Sequence, residues 1–228
     1  MMEVMLGLPD KITALLFDLD GVLTSTAVLH REAWKKTFEA YLGEPFTEAD
    51  YLNYVDGRPR YEGVRTYLES RGLQPTEETV HEVGDRKNAL IDQIIAERGV
   101  TPYPGSLRYL EAAERAGLPI AVVTSSANAK RVLDVSGLQR FVQALVDGNV
   151  IVRDGLKGKP APDSFLKGAK DLGVTPEHAA VFEDALAGVR AGRDGAFGFV
   201  VGVDRGAGHR ELREAGADIV VSDLAELL

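Results

Sequence analysis

Two carboxylates, spaced two residues apart, follow a short apolar run near the start of the chain. The segment Leu15–Thr24 reads LLFDLDGVLT, so Asp18 and Asp20 stand at the end of a run that is typical of a buried strand. Side chains at i and i+2 of a strand share a face, so both carboxylates start out aimed the same way. One carboxylate can attack phosphorus while the other moves a proton, with Mg²⁺ held beside them. A lone Asp-x-Asp is more often a solvated acidic loop, so this hypothesis needs further residues.

Composition limits the class of protein and its partners. The 228 residues include 26 Lys and Arg against 35 Asp and Glu, a formal net charge of −9 that argues against nucleic acid or an anionic membrane as partner. Cysteine is absent from the sequence, which excludes disulfides and thiolate chemistry and fits a cytoplasmic protein. We expect no signal peptide in residues 1–9, because the basic and long apolar regions of such a peptide are missing there. No apolar run is long enough to span a membrane.

Apolar runs of strand length alternate with helical patterns through most of the chain. The predicted strands are Ile12–Phe17, Pro119–Val123, Ala179–Phe182, Gly198–Val203 and Asp218–Val221. The predicted helices between them are Ser106–Ala116, with Ser106 as its N-cap, Ala127–Ser136, Ser164–Leu172 and Ala185–Ala191. This alternation predicts an α/β fold with a doubly wound, mainly parallel sheet.

The stretch between the first two strands has a different pattern. Helical periodicity covers Ala27–Leu42, Arg60–Ser70 and Glu77–Glu97, and no convincing strand interrupts it. We therefore predict a small inserted helical domain, residues 25–98, which we call the cap. Residues 1–24 and 99–228 form the predicted α/β core. An insertion that begins beside the two aspartates is well placed to act as a lid.

Three further strand ends carry groups that suit phosphoryl transfer. Thr124–Ser126 follow the second strand, where hydroxyls and free amides at a helix N-terminus bind an anion or simply cap the helix. Lys159 lies in a proline-rich loop that can fix its charge, although a surface lysine is the default interpretation. Glu183 and Asp184 supply the oxygen ligands that Mg²⁺ prefers, although such a pair is usually only solvated.

Taken together and in this order, the four motifs resemble those of the haloacid dehalogenase superfamily over essentially the whole chain. The resemblance implies a Rossmann-like core and a cap of the family's smaller type. It implies that Asp18 is the nucleophile that becomes an aspartyl phosphate and that Asp20 is the general acid and base. It also implies that Thr124 and Lys159 bind the transferring phosphoryl group. The residues that it assigns to one Mg²⁺ ion are Asp18, Asp20 through its carbonyl, Glu183 and Asp184.

Finer features resemble the β-phosphoglucomutase branch of this superfamily. Thr26, His30 and Ala33-Trp34 reproduce its Thr-x₃-His-x₂-Ala-Trp pattern. The resemblance makes Thr26 and His30 part of the catalytic group, because they position Asp20 as the cap swings. Trp34 and His30 also suit an ordinary place in the cap core. The residues assigned to substrate and phosphate binding are Thr124, Ser125, Ser126, Asn128, Lys159, Arg58, Arg60, Lys87 and Trp34.

The chain departs from that branch at the second phosphate site. Two lysines of the branch are replaced by Asp56 and Ala127, which removes cations and adds an anion. Arg58 is an added cation that can compensate, because a guanidinium binds phosphate through two hydrogen bonds. Ser25 and Ala185 replace an aspartate and a serine of the pattern. These departures leave the sugar open.

The resemblance implies a cytoplasmic, Mg²⁺-dependent enzyme that interconverts β-glucose 1-phosphate and glucose 6-phosphate through glucose 1,6-bisphosphate. Such a mutase needs two phosphate sites and must keep water from the aspartyl phosphate. One alternative is a phosphatase that hydrolyses a sugar phosphate or a similar small metabolite with the same nucleophile. Another is a non-catalytic module that binds a phosphorylated metabolite, although binding alone needs no nucleophile. The expected partner is a small-molecule sugar phosphate, and a monomer is expected.

Overall fold

A six-stranded sheet runs through the centre of the computed structural model, which describes residues 6–228. Its strands are β1 (Ala14–Phe17), β2 (Ile120–Val123), β3 (Ala144–Val146), β4 (Ala179–Glu183), β5 (Phe199–Val203) and β6 (Ile219–Val221). All neighbours are parallel, and their order across the sheet is β3-β2-β1-β4-β5-β6. The strand order reverses at β1, where open α/β sheets bind ligands beyond the carboxyl ends of their strands. The predicted fold class is confirmed.

The central strands bury both of their faces. In β1, Leu15 and Phe17 belong to the apolar cluster on one face, whereas Ala14 and Leu16 belong to the cluster on the other. The Phe17 ring stacks on that of Phe182 in β4, with ring centroids 4.3 Å apart. Strands buried on both faces need continuous apolar runs, and this is why the sequence pattern predicts them well.

The cap consists of helices packed around an aromatic cluster. Its elements are α1 (Thr26–Leu42), α2 (Glu48–Asp50), a π-helical turn (Tyr51–Val55), α3 (Arg60–Ser70) and α4 (Glu77–Arg98). Phe38 lies at the centre of the cluster, where its ring stacks on Trp34 at 5.1 Å and contacts Tyr67 at 4.3 Å. Two linkers join the cap to the core side by side, since the Ser25 amide donates to the Thr101 carbonyl at 3.2 Å.

The remaining helices flank the sheet. They are α5 (Pro104–Arg115), α6 (Ala129–Ser136), α7 (Gly148–Arg153), α8 (Asp163–Asp171), α9 (Leu186–Asp194) and α10 (His209–Ala215). The expected N-cap of α5 is wrong, because Tyr103 is the N-cap and Pro104 is the first helical residue. Ser106 is instead fully buried and donates from Oγ to the Val22 carbonyl at 2.6 Å. The edge strand β3 and the helices α7 and α10 were not predicted from the sequence pattern.

Two sequence predictions concern the first residues of the chain and its helices as candidates to span a membrane. Residues 1–5 lie outside the described residues. They include the start of the predicted core segment 1–24 and most of residues 1–9, where no signal peptide is expected. Across residues 6–228, each helix is too short or too polar to cross a lipid bilayer.

Candidate active site

The loop after β1 brings Asp18 and Asp20 to the carboxyl edge of the sheet. The Asp18 amide still donates to the Phe182 carbonyl of β4 at 2.9 Å, so its position is fixed by the sheet. The chain then turns at Gly21, whose φ is +97° and whose amide donates to the Thr24 carbonyl at 2.8 Å. A Cβ at this position would overlap the carboxylate of Asp184. Glycine is therefore needed here both for its backbone conformation and for the close approach of Asp184.

Lys159 is fully buried beneath Asp18 and is not the surface lysine of the default interpretation. Its ammonium donates to Oδ1 of Asp18 at 2.6 Å, to Oε1 of Glu183 at 2.5 Å and to the Val123 carbonyl at 3.1 Å. These three bonds use all three of its protons. The lysine therefore ties together the ends of β1, β2 and β4.

The electrostatics of this group are set by burial and by the shared ammonium. Burial raises the pKa of Asp18 to about 6, although Lys159 acts in the opposite direction. Burial likewise raises the pKa of Glu183 to about 7 against the effect of the same lysine. Burial alone would lower the pKa of Lys159, but the two carboxylates outweigh it and raise that pKa above its usual range. Lys159 therefore stays charged.

Asp20 is held between the cap and the core. The Thr26 hydroxyl, on the first residue of α1, donates to Oδ1 of Asp20. The Thr124 hydroxyl, just after β2, donates to Oδ2 at 3.4 Å. Burial raises the pKa of Asp20, while the bond from Thr26 opposes the rise. A carboxyl group with a raised pKa is better able to carry a proton at neutral pH.

A line of polar side chains connects Asp20 to α4. Nζ of Lys87 lies 2.8 Å from Nδ1 of His30, and Nε2 of His30 lies 3.6 Å from Oδ1 of Asp20. Lys87 is only 4% exposed, and its ammonium lies 4.8 Å from the centre of the Trp34 ring. Burial lowers the pKa of Lys87 to about 7, and burial together with the Lys87 charge lowers the pKa of His30 well below its usual value.

The predicted site residues surround one cavity of about 70 Å³ between the core and the cap. Thr26 and Lys159 lie directly behind its wall, bonded to Asp20 and Asp18 respectively. Trp34 reaches the cavity but is 4% exposed and stacks on Phe38, so most of its ring belongs to the cap core. The predicted residues that line the cavity are Asp18, Asp20, His30, Trp34, Arg58, Arg60, Lys87, Thr124, Ser125, Ser126, Asn128, Glu183 and Asp184.

The two arginines on the cap side of the cavity both have acidic neighbours. NH1 of Arg58 donates to Oε1 of Glu62 at 3.1 Å. NH2 of Arg60 donates to the Tyr61 hydroxyl at 2.9 Å and lies 3.4 Å from Oδ1 of Asp85. These cations are therefore oriented by partners on α3 and α4, and part of their charge is balanced before any anion binds.

The cap contacts the core directly over the cavity. Oγ of Ser125 donates to the Gly57 carbonyl at 2.8 Å, and the side-chain Nδ2 of Asn128 donates to Oδ1 of Asn88 at 3.0 Å. Gly57 has a φ of +69°, and a Cβ there would lie 3.0 Å from Cβ of Ala185. The structure therefore shows a closed arrangement of cap and core, in which glycine allows the close contact.

Sequence reasoning missed several cavity residues. Tyr51 lies in the π-helical turn, whose spacing breaks the 3.6-residue periodicity, so no pattern marks it. The only sequence signal at Asp56 is the departure from the lysine of the resembling branch. Asn88 lines the cavity and directly follows Lys87 on α4, so its position next to a predicted site residue is the signal that could have identified it. Cavity-facing residues of the cap were therefore harder to find than those at strand ends.

The oxygen atoms near Asp18 suit a magnesium ion. Asp18, Asp184 and the Asp20 carbonyl are the first candidate ligands, while the predicted ligand Glu183 directs Oε1 to Lys159 and accepts the Ala185 amide on Oε2 at 2.9 Å, which leaves it one lone pair on each oxygen. In the described part of the chain, no three His, Cys, Asp or Glu side chains form a ready metal cluster. Burial, and then the charges of Asp56, Glu183 and Asp18, raise the pKa of Asp184 well above its usual value. Mg²⁺ usually keeps several of its waters, so a site that offers few protein oxygens and an excess of negative charge suits this ion.

Comparison with known proteins gives consistent matches over most of the chain. The family model described as haloacid dehalogenase-like hydrolase matches residues 12–195. A β-phosphoglucomutase of Mycobacterium bovis is 52% identical, over 98% of this chain and 94% of the relative. One of Bacillus subtilis is 35% identical, over 94% of this chain and 91% of the relative. The crystal structure of a β-phosphoglucomutase from Clostridium difficile superposes with a TM-score of 0.83 at 29% identity, covering 95% of this chain and 93% of that one.

Proposed function

The chain belongs to the haloacid dehalogenase-like hydrolase family, and from this premise we propose that it acts as a β-phosphoglucomutase. The observation that carries the proposal is a cavity with cationic groups on both its core side and its cap side. Lys159 lies behind the core wall and bonds to Asp18, while Arg58, Arg60 and Lys87 line the cap side. A phosphatase needs a cation only beside Asp18, whereas a mutase must hold a sugar that carries two phosphates and therefore needs cations for the second one as well. The relatives that share most of this chain's length support the same activity.

In one of the two proposed steps, the Asp18 carboxylate attacks a phosphorus atom of the sugar bisphosphate. As the new bond to phosphorus forms, the bond from phosphorus to the sugar oxygen breaks, and that oxygen takes a proton from Asp20. In the other direction, a sugar hydroxyl attacks phospho-Asp18 and gives its proton to Asp20. The cycle starts from phospho-Asp18, whose phosphoryl group is transferred to the 6-hydroxyl of β-glucose 1-phosphate while Asp20 takes the hydroxyl proton. The 1,6-bisphosphate then turns around, and transfer of its 1-phosphoryl group to Asp18 releases glucose 6-phosphate and restores phospho-Asp18.

The residues around Asp18 and Asp20 serve this chemistry by position and charge. Lys159 holds Asp18 in place and offsets negative charge on the transferring group, and Glu183 keeps the lysine there. Thr26 and Thr124 hold the Asp20 carboxylate, with His30 beside it. When bound by Asp18, Asp184 and the Asp20 carbonyl, Mg²⁺ supplies further neutralisation of the phosphoryl oxygens. This assignment leaves Glu183 as the partner of Lys159.

The cap is proposed to exclude water while phospho-Asp18 waits for a sugar hydroxyl. Ser125 and Asn128 of the core bond to Gly57 and Asn88 of the cap, so closure covers the reacting carboxylates. Binding of the distal phosphate by the cap cations favours this closed arrangement. Since Thr26 begins the first cap helix and bonds to Asp20, closure also aligns the acid and base.

We expect replacement of Asp20 by alanine to lower turnover of sugar phosphates by about 10³-fold. The loss should be much smaller for acetyl phosphate as phosphoryl donor, because its leaving group needs little help from an acid. The measurement is the rate of Asp18 phosphorylation from each donor, with exposed Asp10→Ala as a control for charge removal. Equal losses with both donors would contradict the role of Asp20 as acid and base.

We expect Arg60→Ala to impair mutase turnover by about 10- to 100-fold while changing hydrolysis of p-nitrophenyl phosphate by less than about threefold. The small ester has no distal phosphate to be bound by the cap. Arg65→Ala is the matched control, because Arg65 lies on the same helix but pairs with Glu77 outside the cavity. Equal losses on both substrates would mean that Arg60 supports the cap structure only.

The proposal as a whole is tested by product analysis in one tube. Purified protein, Mg²⁺, β-glucose 1-phosphate and a trace of β-glucose 1,6-bisphosphate are mixed, and glucose 6-phosphate and inorganic phosphate are both followed. Rapid formation of glucose 6-phosphate with little free phosphate is the expected result. Free phosphate as the main product would indicate the phosphatase alternative. Tight binding without either product would indicate the non-catalytic module.

The oligomeric state, the location and the excluded classes of partner stay predictions. A monomer is expected, because core and cap of one chain together surround the cavity. A cytoplasmic location and the exclusion of nucleic acid and membrane as partners depend on the composition and the net charge of −9. Gel filtration and localisation of a tagged chain test the first two directly.

A further inference from the structure

Asp56 lies at the end of the cavity where the metal ligands are expected. It follows the π-helical turn and lines the active-site cavity together with Asp18 and Asp184. It also lines a second cavity of about 100 Å³, which Asp184 and Tyr51 line as well. The residue after Asp56 packs on the residue after Asp184, since a Cβ on Gly57 would lie 3.0 Å from that of Ala185. The cap therefore places this carboxylate beside Asp184 on the core.

Among the described residues, the cations near this pair of carboxylates bond to other groups, since Arg205, which also lines the second cavity, donates to the Gly21 and Ser222 carbonyls. Lys159 is already bonded to Asp18 and Glu183. Arg31 lines the second cavity, but its NH1 donates to Glu48 at 2.6 Å on the outer side of the cap. Two like charges brought together by closure repel each other, whereas a divalent cation between them reverses the sign of the interaction.

We infer that Asp56 couples closure of the cap to occupation of the Mg²⁺ site, by opposing closure when the site is empty and favouring it when the ion is bound. The inference rests on the Mg²⁺ site of the proposed function. Asp56 would act on a bound ion through its charge, as a positioning residue and not as an additional direct ligand. Since coupling is reciprocal, closure must also strengthen ion binding.

The first test measures ion affinity without turnover. Mn²⁺ binding is followed by electron paramagnetic resonance and Mg²⁺ binding by calorimetry, for the unaltered chain, Asp56→Asn and Asp56→Ser. We expect the dissociation constants of both variants to rise about tenfold, because one negative charge near the ion is lost. Glu69→Gln is the control, since it removes an exposed carboxylate of the cap that lies outside both cavities.

The second test measures closure directly. The chain has no cysteine, so L73C on the cap and V135C on α6 give a single pair of exposed labelling sites. We expect Mg²⁺ to shift the label distances of the otherwise unaltered chain toward the short, closed value. With Asp56→Asn, the short distance should already dominate without the ion, and Mg²⁺ should add little.

The outcomes separate this inference from the proposed function. Unchanged ion affinity and unchanged ion-dependent closure in both Asp56 variants would overturn the inference while leaving the Mg²⁺ site intact. A raised KM for the sugar phosphate with unchanged ion affinity would also overturn it and would make Asp56 a ligand of a sugar hydroxyl. Failure of the unaltered chain to bind Mn²⁺ or Mg²⁺ would overturn the Mg²⁺ site itself, and the inference with it.

Discussion

Replacement of Asp18 by asparagine is expected to lower turnover by about 10⁴-fold or more, the largest loss of any single change at the site. Asparagine has the same shape but cannot form the aspartyl phosphate that both half-reactions need. The measurement is mutase turnover together with incorporation of labelled phosphoryl groups into the protein. The unaltered chain should become labelled and Asp18→Asn should not.

The same substitution should leave the fold intact. Asp18 is buried near other acidic groups, and Asp20 and Asp56 both raise its pKa, so loss of its charge relieves repulsion. Lys159 keeps Glu183 as a partner in this variant. We therefore expect the free energy of unfolding in urea to stay the same or to rise. Asp10→Asn, on an exposed residue, is the control, and substantial residual labelling of Asp18→Asn would refute the assignment of the nucleophile.

Replacement of Lys159 by methionine should reduce both stability and activity. It leaves the carboxylates of Asp18 and Glu183 buried without their shared ammonium, which costs about 3–5 kcal/mol when a buried ion pair loses one partner. Transfer should fall by about 10³-fold, because the transferring group loses a fixed positive charge. The measurements are urea denaturation and mutase turnover.

A second variant separates the two effects of Lys159. In Lys159→Met combined with Glu183→Gln, one of the two unpaired charges is removed, so part of the stability should return while turnover stays low. Lys157→Met is the matched control, because that lysine lies two residues away and is exposed. Full recovery of turnover in the combined variant would contradict a direct role for the Lys159 charge in transfer.

Sequence patterns identify residues at the ends of the central strands better than residues of the cap. Asp18, Thr124, Lys159 and Asp184 could be identified because three of them follow buried apolar runs, and carboxyl ends of parallel strands meet at one edge. The edge strand β3 was missed although the other edge strand, β6, has the same length and burial and was predicted. All three residues of β6 are β-branched, whereas only one residue of β3 is, so β3 gives the weaker strand signal.

Local signals failed where tertiary contacts overrode them. Ser106 has the residue type of an N-cap, but the structure uses its hydroxyl to bond Val22 while Pro104 begins the helix. Lys159 and Lys87 carry the residue type of a solvated surface, yet the fold buries both beside carboxylate or imidazole partners. His30 lies 57 residues from Lys87 along the chain and Asp18 lies 141 residues from Lys159, so no local pattern connects either pair.

By itself, the sequence of this protein determined the α/β class and pointed to the polar residues at the ends of the central strands, because a single chain displays periodicity and short spacings directly. The roles of Asp18 as nucleophile and Asp20 as proton carrier are implied by the resemblance to a known family and stay predictions. Only the tertiary structure decided that Asp56 and Asp184 line the same cavities, that Tyr51 joins them and that Lys87, His30 and Asp20 form one line. The physical reason is that these contacts join different helices of the cap, or the cap and the core, and such long-range packing leaves no periodic mark in any one segment.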